Sequence, residues 1–125
     1  MMARKILIQA AQVTATAELA ENRTADAIWE ALPIEGSVNR WGEEIYFKIP
    51  VELERLGDAR QVMEVGELAY WPGGNAFCIF FGPTPVSQSA EPRAYSDVNP
   101  FGKVLGDAKV FSEVSDGEKI KVSKA

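Results

Sequence analysis

Between Ala76 and Phe81 the chain reads Ala-Phe-Cys-Ile-Phe-Phe, six consecutive residues without a polar position. Side chains of a strand alternate between its two faces. A strand built from this run therefore has no face suited to water, and must be covered on both sides or lie against a partner element. Ahead of it stand Leu68-Ala69-Tyr70-Trp71 and the breaker Pro72-Gly73-Gly74-Asn75. The arrangement predicts a strand over 68–71, a turn over 72–75 and a buried strand over 76–81.

The same two-residue period recurs along the chain. Lys5 to Gln9 is β-branched and apolar, and Val13, Ala15, Ala17 and Leu19 alternate with Thr14, Thr16 and Glu18, which predicts a hairpin. A second hairpin is expected from 36–41, through Gly42-Glu43, into 44–49, where Ile45, Phe47 and Ile49 alternate with Glu44, Tyr46 and Lys48. Further strands are expected over 61–65, 103–105, 109–111 and 119–122, while Val51 to Leu56 reads as a single helical turn or as irregular chain. One helix is predicted from a Thr24 cap to Leu32, with Ile28, Ala31 and Leu32 on one face, Trp29 beside it, and Pro33 forbidding continuation. The stretch 82–100, rich in Pro, Ser and Gly, reads as a long loop of the kind that carries function. Seven or eight short strands with one helix favour a β-barrel or sandwich over an α/β sheet, the helix plugging one end.

A chain of 125 residues suits one domain with a proper core. The net charge of −5, with Lys and Arg scattered singly, argues against nucleic acid, whose phosphates need a concentrated basic face. It argues more weakly against anionic membranes, and no apolar run approaches membrane-spanning length. The apolar run after Arg4-Lys5 is too short for a secretion signal. A lone cysteine, Cys78, permits no intrachain disulfide and suits a reducing cytoplasm. Histidine is absent, which excludes Ser-His-Asp, Cys-His and His-metal constellations. No metal or cofactor is expected.

Four segments carry a closer likeness. They are Asn39-Arg40-Trp41-Gly42-Glu43-Glu44-Ile45-Tyr46-Phe47, Gly66-Glu67-Leu68-Ala69-Tyr70-Trp71-Pro72, Gly74 to Gly82, and Asn99-Pro100-Phe101-Gly102-Lys103-Val104. Together with the order of elements they resemble the small bacterial and archaeal cyclophilin-like, or DUF369, family, which is distantly similar to the cyclophilin prolyl isomerases. The resemblance implies an all-β fold, a closed eight-stranded barrel with one or two short capping helices. It also sets Arg40, in Asn39-Arg40-Trp41, where cyclophilins keep the arginine of a Phe-His-Arg motif that holds the substrate carbonyl. Elsewhere the isomerase set departs from this chain. Ala76 stands for the site glutamine, Cys78 for a proline-contacting phenylalanine and Val98 for the site histidine.

Read as residues, Arg40 offers a planar fork for carbonyl or carboxylate groups, against a bland role in a hairpin ion pair with Glu43 or Glu44. Trp41, Tyr46, Tyr70 and Trp71 are candidates to line a groove with their polar tips toward a ligand, against plain core packing. Glu44 is the better placed of the two adjacent acids, because it shares a strand face with Tyr46. Cys78, between Phe77 and Ile79, reads as a buried inert thiol. The leading expectation is a groove lined by Arg40, Trp41, Glu44, Tyr46, Tyr70, Trp71 and Phe77 that binds a small molecule or peptide without efficient catalysis. The alternative is a divergent prolyl isomerase with Arg40 as its electrostatic catalyst, since rotation about an amide breaks no covalent bond.

Overall fold

A computed structural model describes residues 4–125. The chain forms strands β1 (Lys5–Ala10) and β2 (Val13–Leu19), helix α1 (Arg23–Ala31), then β3 (Ile34–Ser37), β4 (Asn39–Arg40), β5 (Glu44–Lys48), β6 (Arg60–Val62), β7 (Glu67–Trp71), β8 (Ala76–Phe80) and β9 (Arg93–Val104). A 3₁₀ helix, Ala108–Glu113, and β10 (Lys119–Lys124) complete it. The strands form one antiparallel sheet in the order β3-β10-β1-β2-β9-β7-β8-β5-β4, with β6 pairing to β9 outside that path.

The two ends of this order, β3 and β4, are separated along the chain by Val38 alone, so the sheet has to curl until its ends lie side by side. Among the described residues no hydrogen-bonded pair joins those ends. The eight-stranded closed barrel expected from the sequence is thus found as a curled sheet of ten strands. The difference arises at 36–41, where the expected single strand arm is divided. Residues before Val38 pair with β10, and Asn39 and Arg40 pair with Tyr46 and Ile45 of β5.

The concave side holds the main core, including Ile6, Ile8, Ala17, Ile28, Ile45, Phe47, Leu68, Tyr70, Phe77, Ile79, Phe101 and Phe111. A second, smaller apolar cluster lies on the opposite face of β8, built from Met63, Ala69, Ala76, Cys78, Phe80, Ala94 and Val98. All five residues of β8 are buried, so the all-apolar run is covered on both faces as its composition requires. Register explains the partition. Phe77 pairs with Phe47 and Tyr70, and Ile79 with Ile45 and Leu68, whereas Cys78 pairs with Tyr46 and Ala69. Cross-strand partners share a face, so odd positions of β8 face the main core and even positions the smaller cluster.

Three sequence expectations change. The long loop over 82–100 ends at residue 92, because β9 runs twelve residues from Arg93 and pairs with β6, β7 and β2. Its apolar periodicity is broken by Ser96, Asp97, Asn99 and Pro100, and its pairing shifts register opposite Leu68 and Ala69, which is where Pro100 can be tolerated. Residues 109–111 form the 3₁₀ helix instead of a strand. Ala108, Phe111 and Val114 recur at a spacing of three and are buried, and the Asp107 side chain accepts from the Lys109 N–H to start the turn. Helix α1 is capped by Asn22, not Thr24, since the Asn22 side chain accepts the Ala25 N–H at 2.8 Å while its amide donates to the Pro100 carbonyl at 3.0 Å. Thr24 is buried. The helix ends at Ala31, one residue earlier than expected, with Leu32 as its C-cap before Pro33, and Trp29 beside its apolar face lies under the Lys124 ammonium at 4.6 Å.

Residues 51–56 are irregular and are held by side chains standing in for a strand partner. Asn99 accepts from the Leu56 N–H and donates to the Glu54 carbonyl, both at 3.0 Å. The Tyr70 hydroxyl donates to the Val51 carbonyl at 2.6 Å and accepts from the Leu53 N–H at 3.3 Å. Buried polar groups left without partners are costly. Tyr70→Phe is therefore expected to lower unfolding free energy by about 1–2 kcal/mol in urea titrations, with no change at the outer face of the sheet.

Candidate functional site

The outer face of β5, β8, β7 and β9 carries a cleft of about 240 Å³ lined by Trp41, Glu44, Tyr46, Trp71, Cys78, Ala94, Tyr95 and Val98. Strand parity assembles its β5 and β8 part. Glu44 and Tyr46 stand two residues apart on β5, and Cys78 on β8 is the direct partner of Tyr46. Ala94, Tyr95 and Val98 come from β9, and Trp71 ends β7.

A tight turn brings Trp41 back over Glu44. The Trp41 N–H donates to the Glu44 carbonyl at 2.9 Å and the Glu44 N–H to the Trp41 carbonyl at 3.2 Å. Gly42 within that turn has φ +61°, and a Cβ there would sit 2.8 Å from Pro85 Cδ and 2.9 Å from Thr84 Cα, so both conformation and space demand glycine. Glu43 points the opposite way and pairs with Lys109 at 3.2 Å, which leaves Glu44 as the single acid of the cleft.

Four aromatic rings meet at steep angles. Tyr46 and Trp71 have centroids 6.0 Å apart and planes at 83°, Trp71 and Tyr95 lie 5.9 Å apart at 71°, and Trp41 and Tyr95 lie 6.1 Å apart at 71°. The Trp71 indole N–H donates to Ser96 Oγ at 2.8 Å, fixing the ring against β9. On its other side the 72–75 turn is folded over it, since Cβ atoms added at Gly73 and Gly74 would lie 2.9 Å and 2.6 Å from the indole.

Glu44 is 5% exposed, and its Oε1 is buried with no hydrogen-bond partner. Burial pushes its carboxyl up from 4.5 to about 8, with the neighbouring Cys78 thiol offsetting part of that rise. Near neutral pH the group is therefore mostly a neutral acid. The Cys78 thiol is itself driven well above its ordinary range by burial and by the adjacent Glu44. A thiol held in that form is a poor nucleophile, in keeping with the inert reading.

Three residues expected in the groove lie elsewhere. Arg40 belongs to the opposite face: its Nε donates to the Gly42 carbonyl at 2.7 Å, and Nη1 to the Ser112 and Val114 carbonyls at 3.1 and 3.0 Å. Its guanidinium also sits 5.0 Å over the Phe81 ring. Nε and Nη1 are thus taken up by backbone carbonyls of the same chain, and Arg40 does not line the cleft. Tyr70 and Phe77 are cross-strand partners within the main core. Tyr70 neighbours Trp71 and Phe77 neighbours Cys78 in sequence, so each faces away from the cleft that its neighbour lines. Trp41, Glu44, Tyr46 and Trp71 do come together there. The loop-like sequence of 82–100 hides Tyr95 and Ala94, whereas Val98 is the position that the resemblance aligns with the site histidine.

Of the three positions at which the isomerase pattern is altered, Cys78 and Val98 line the cleft and Ala76 does not. The cyclophilin-like family matches residues 4–123 of the chain. This protein belongs to the cyclophilin-like family. Among solved structures, this cyclophilin-like protein is similar to a hypothetical protein from Archaeoglobus fulgidus determined in solution. The two share 37% identity over 98% of this chain and 95% of the other, with a TM-score of 0.83. No curated protein matches the sequence. Among the described residues, no helix of the cyclophilin-like chain is long and apolar enough to cross a membrane, and no three His, Cys, Asp or Glu side chains converge as metal ligands would.

Proposed function

We propose that this cyclophilin-like protein is a binding protein that takes a small molecule into the cleft between Trp41, Tyr46, Trp71 and Tyr95. The observation that carries the reading is the Glu44 carboxyl, buried at the base of an aromatic cleft with one oxygen unpartnered. A polar atom left unsatisfied in that setting costs stability unless something completes it. Binding sites combine apolar walls with a few placed polar groups in this way. At about 240 Å³ the cleft falls below the roughly 300–1,000 Å³ of pockets that take drug-sized ligands. It suits a small molecule or one compact group better than an extended peptide. In this reading the wall bearing the cleft is the side of a closed barrel.

Prolyl isomerisation through Arg40 lacks its central requirement, because the guanidinium is engaged by three carbonyls and a phenyl ring. The test is a fragment screen by nuclear magnetic resonance using cationic, neutral and anionic small molecules, read at the indole and ring signals of Trp41, Trp71 and Tyr95. At least one class is expected to shift these signals at millimolar concentration, and Trp71→Ala to weaken that binding tenfold or more. A screen in which no class perturbs these rings overturns the binding reading.

A further inference from the structure

Resting on that reading, we infer that the cleft selects a methylated ammonium group, the positively charged head of a small organic cation, which seats among the four rings with Glu44 as its counter-charge. Three observations favour this ligand over others of similar size. The first is wall geometry. Successive rings meet at 83°, 71° and 71°, so they enclose a corner rather than a slot. A flat ring stacks on one wall only, whereas a rounded group touches several at once. Aromatic walls arranged around a compact cation attract it through their ring quadrupoles, and a desolvated site strengthens that attraction.

The second is charge. None of the eight lining residues is basic, and the whole chain carries a net charge of −5. The titratable groups facing Glu44 are Cys78 from β8, Tyr46 on its own strand and Tyr95 from β9. All are neutral in their protonated forms, so no local cation competes for the carboxylate. An anionic ligand would meet a buried acid and find no donor arginine or lysine. The third is the unpartnered Oε1, buried in a residue that lines the cleft. A methylated ammonium has no need of a directional hydrogen-bond partner. It requires a negative atom in an apolar surround, and an ionised Glu44 supplies one.

The proton balance follows. In the empty cleft the Glu44 carboxyl holds its proton. When the cation enters, opposite charge favours the carboxylate and the proton leaves to solvent. Affinity for a permanently charged ligand therefore rises about tenfold per pH unit while Glu44 is protonated in the free protein, and levels off once it is ionised.

The experiment is calorimetry on the full chain with tetramethylammonium, choline and the uncharged carbon isostere of choline, in which a quaternary carbon replaces the nitrogen. Repeating the choline titration in buffers of different ionisation enthalpy counts the protons released. Choline and tetramethylammonium are expected to bind, the isostere at least tenfold more weakly, with release of close to one proton at neutral pH. Glu44→Gln, which keeps shape and removes the charge, is expected to lose cation binding tenfold or more and with it the preference for choline over the isostere. Equal affinity for choline and its isostere, or choline binding without proton release, overturns the inference. So does failure of both cations to bind while another fragment still shifts the Trp71 indole, an outcome that leaves the binding reading standing. No perturbation by any molecule removes both.

Discussion

Wild-type stability is expected to fall as pH rises from about 5 to about 8, and the Glu44→Gln variant to lack most of that fall. The folded protein holds the Glu44 carboxyl at about 8, whereas the unfolded chain releases its proton near 4.5. Below 4.5 both states are protonated and the group costs nothing. Between the two values the unfolded state gains a hydrated carboxylate that the folded state cannot match, so unfolding becomes more favourable with each pH unit. The penalty is complete above about 8. The shift corresponds to roughly 5 kcal/mol, a large share of the stability of an ordinary small domain. Urea titrations of both proteins across pH 4 to 9 measure it, because contributions from the remaining carboxylates cancel in the difference. Curves that run parallel would show that Glu44 ionises normally in the folded protein, and the neutral acid at the base of the cleft would be lost.

Arg40→Ala is expected to cost about 2–4 kcal/mol of unfolding free energy, with a fall in Tm on the order of 10 °C for a domain of this size. Its guanidinium ties the turn at Gly42 to the end of the 3₁₀ helix through the Ser112 and Val114 carbonyls, while its own backbone N–H is held by Asp116 at 2.8 Å. Hydrogen bonds from charged donors are worth more than neutral ones. Truncation removes the fork and the contact with Phe81 together. Arg40→Lys is expected to recover little of the loss, because an ammonium lacks the planar spread that reaches separate carbonyls. Thermal melts of both variants measure the effect. A variant with wild-type stability that no longer binds any cleft ligand would instead make Arg40 a binding residue.

These two residues show how far the sequence could be read. Glu44 and Tyr46 share a face by simple alternation, and the same rule separates Tyr70 from Trp71 and Phe77 from Cys78. Expecting Tyr70 beside Trp71, and Phe77 rather than Cys78, to face a ligand runs against the rule that identifies the strands. Arg40 was misplaced for a different reason. Its sequence neighbourhood resembles a motif, but its direction is set by Ser112 and Val114, more than seventy positions away, and no local pattern encodes that pairing. Tyr95 is hidden because Ser96, Asp97, Asn99 and Pro100 break the apolar alternation of β9. The all-apolar β8, by contrast, announced burial on both faces without any knowledge of its neighbours.

The glycines at 73 and 74 deserve a different description from that of a turn. By letting backbone lie directly on the Trp71 indole, while Ser96 holds its N–H, they turn a side chain at a strand end into a fixed surface. A ring clamped in this way loses little freedom when a ligand arrives, and lost side-chain freedom is one of the main costs of association. In the binding reading proposed above, the cleft is prepared before a ligand arrives. A methyl group added at either glycine would act on ligand affinity at a distance, by displacing the indole without touching the ligand.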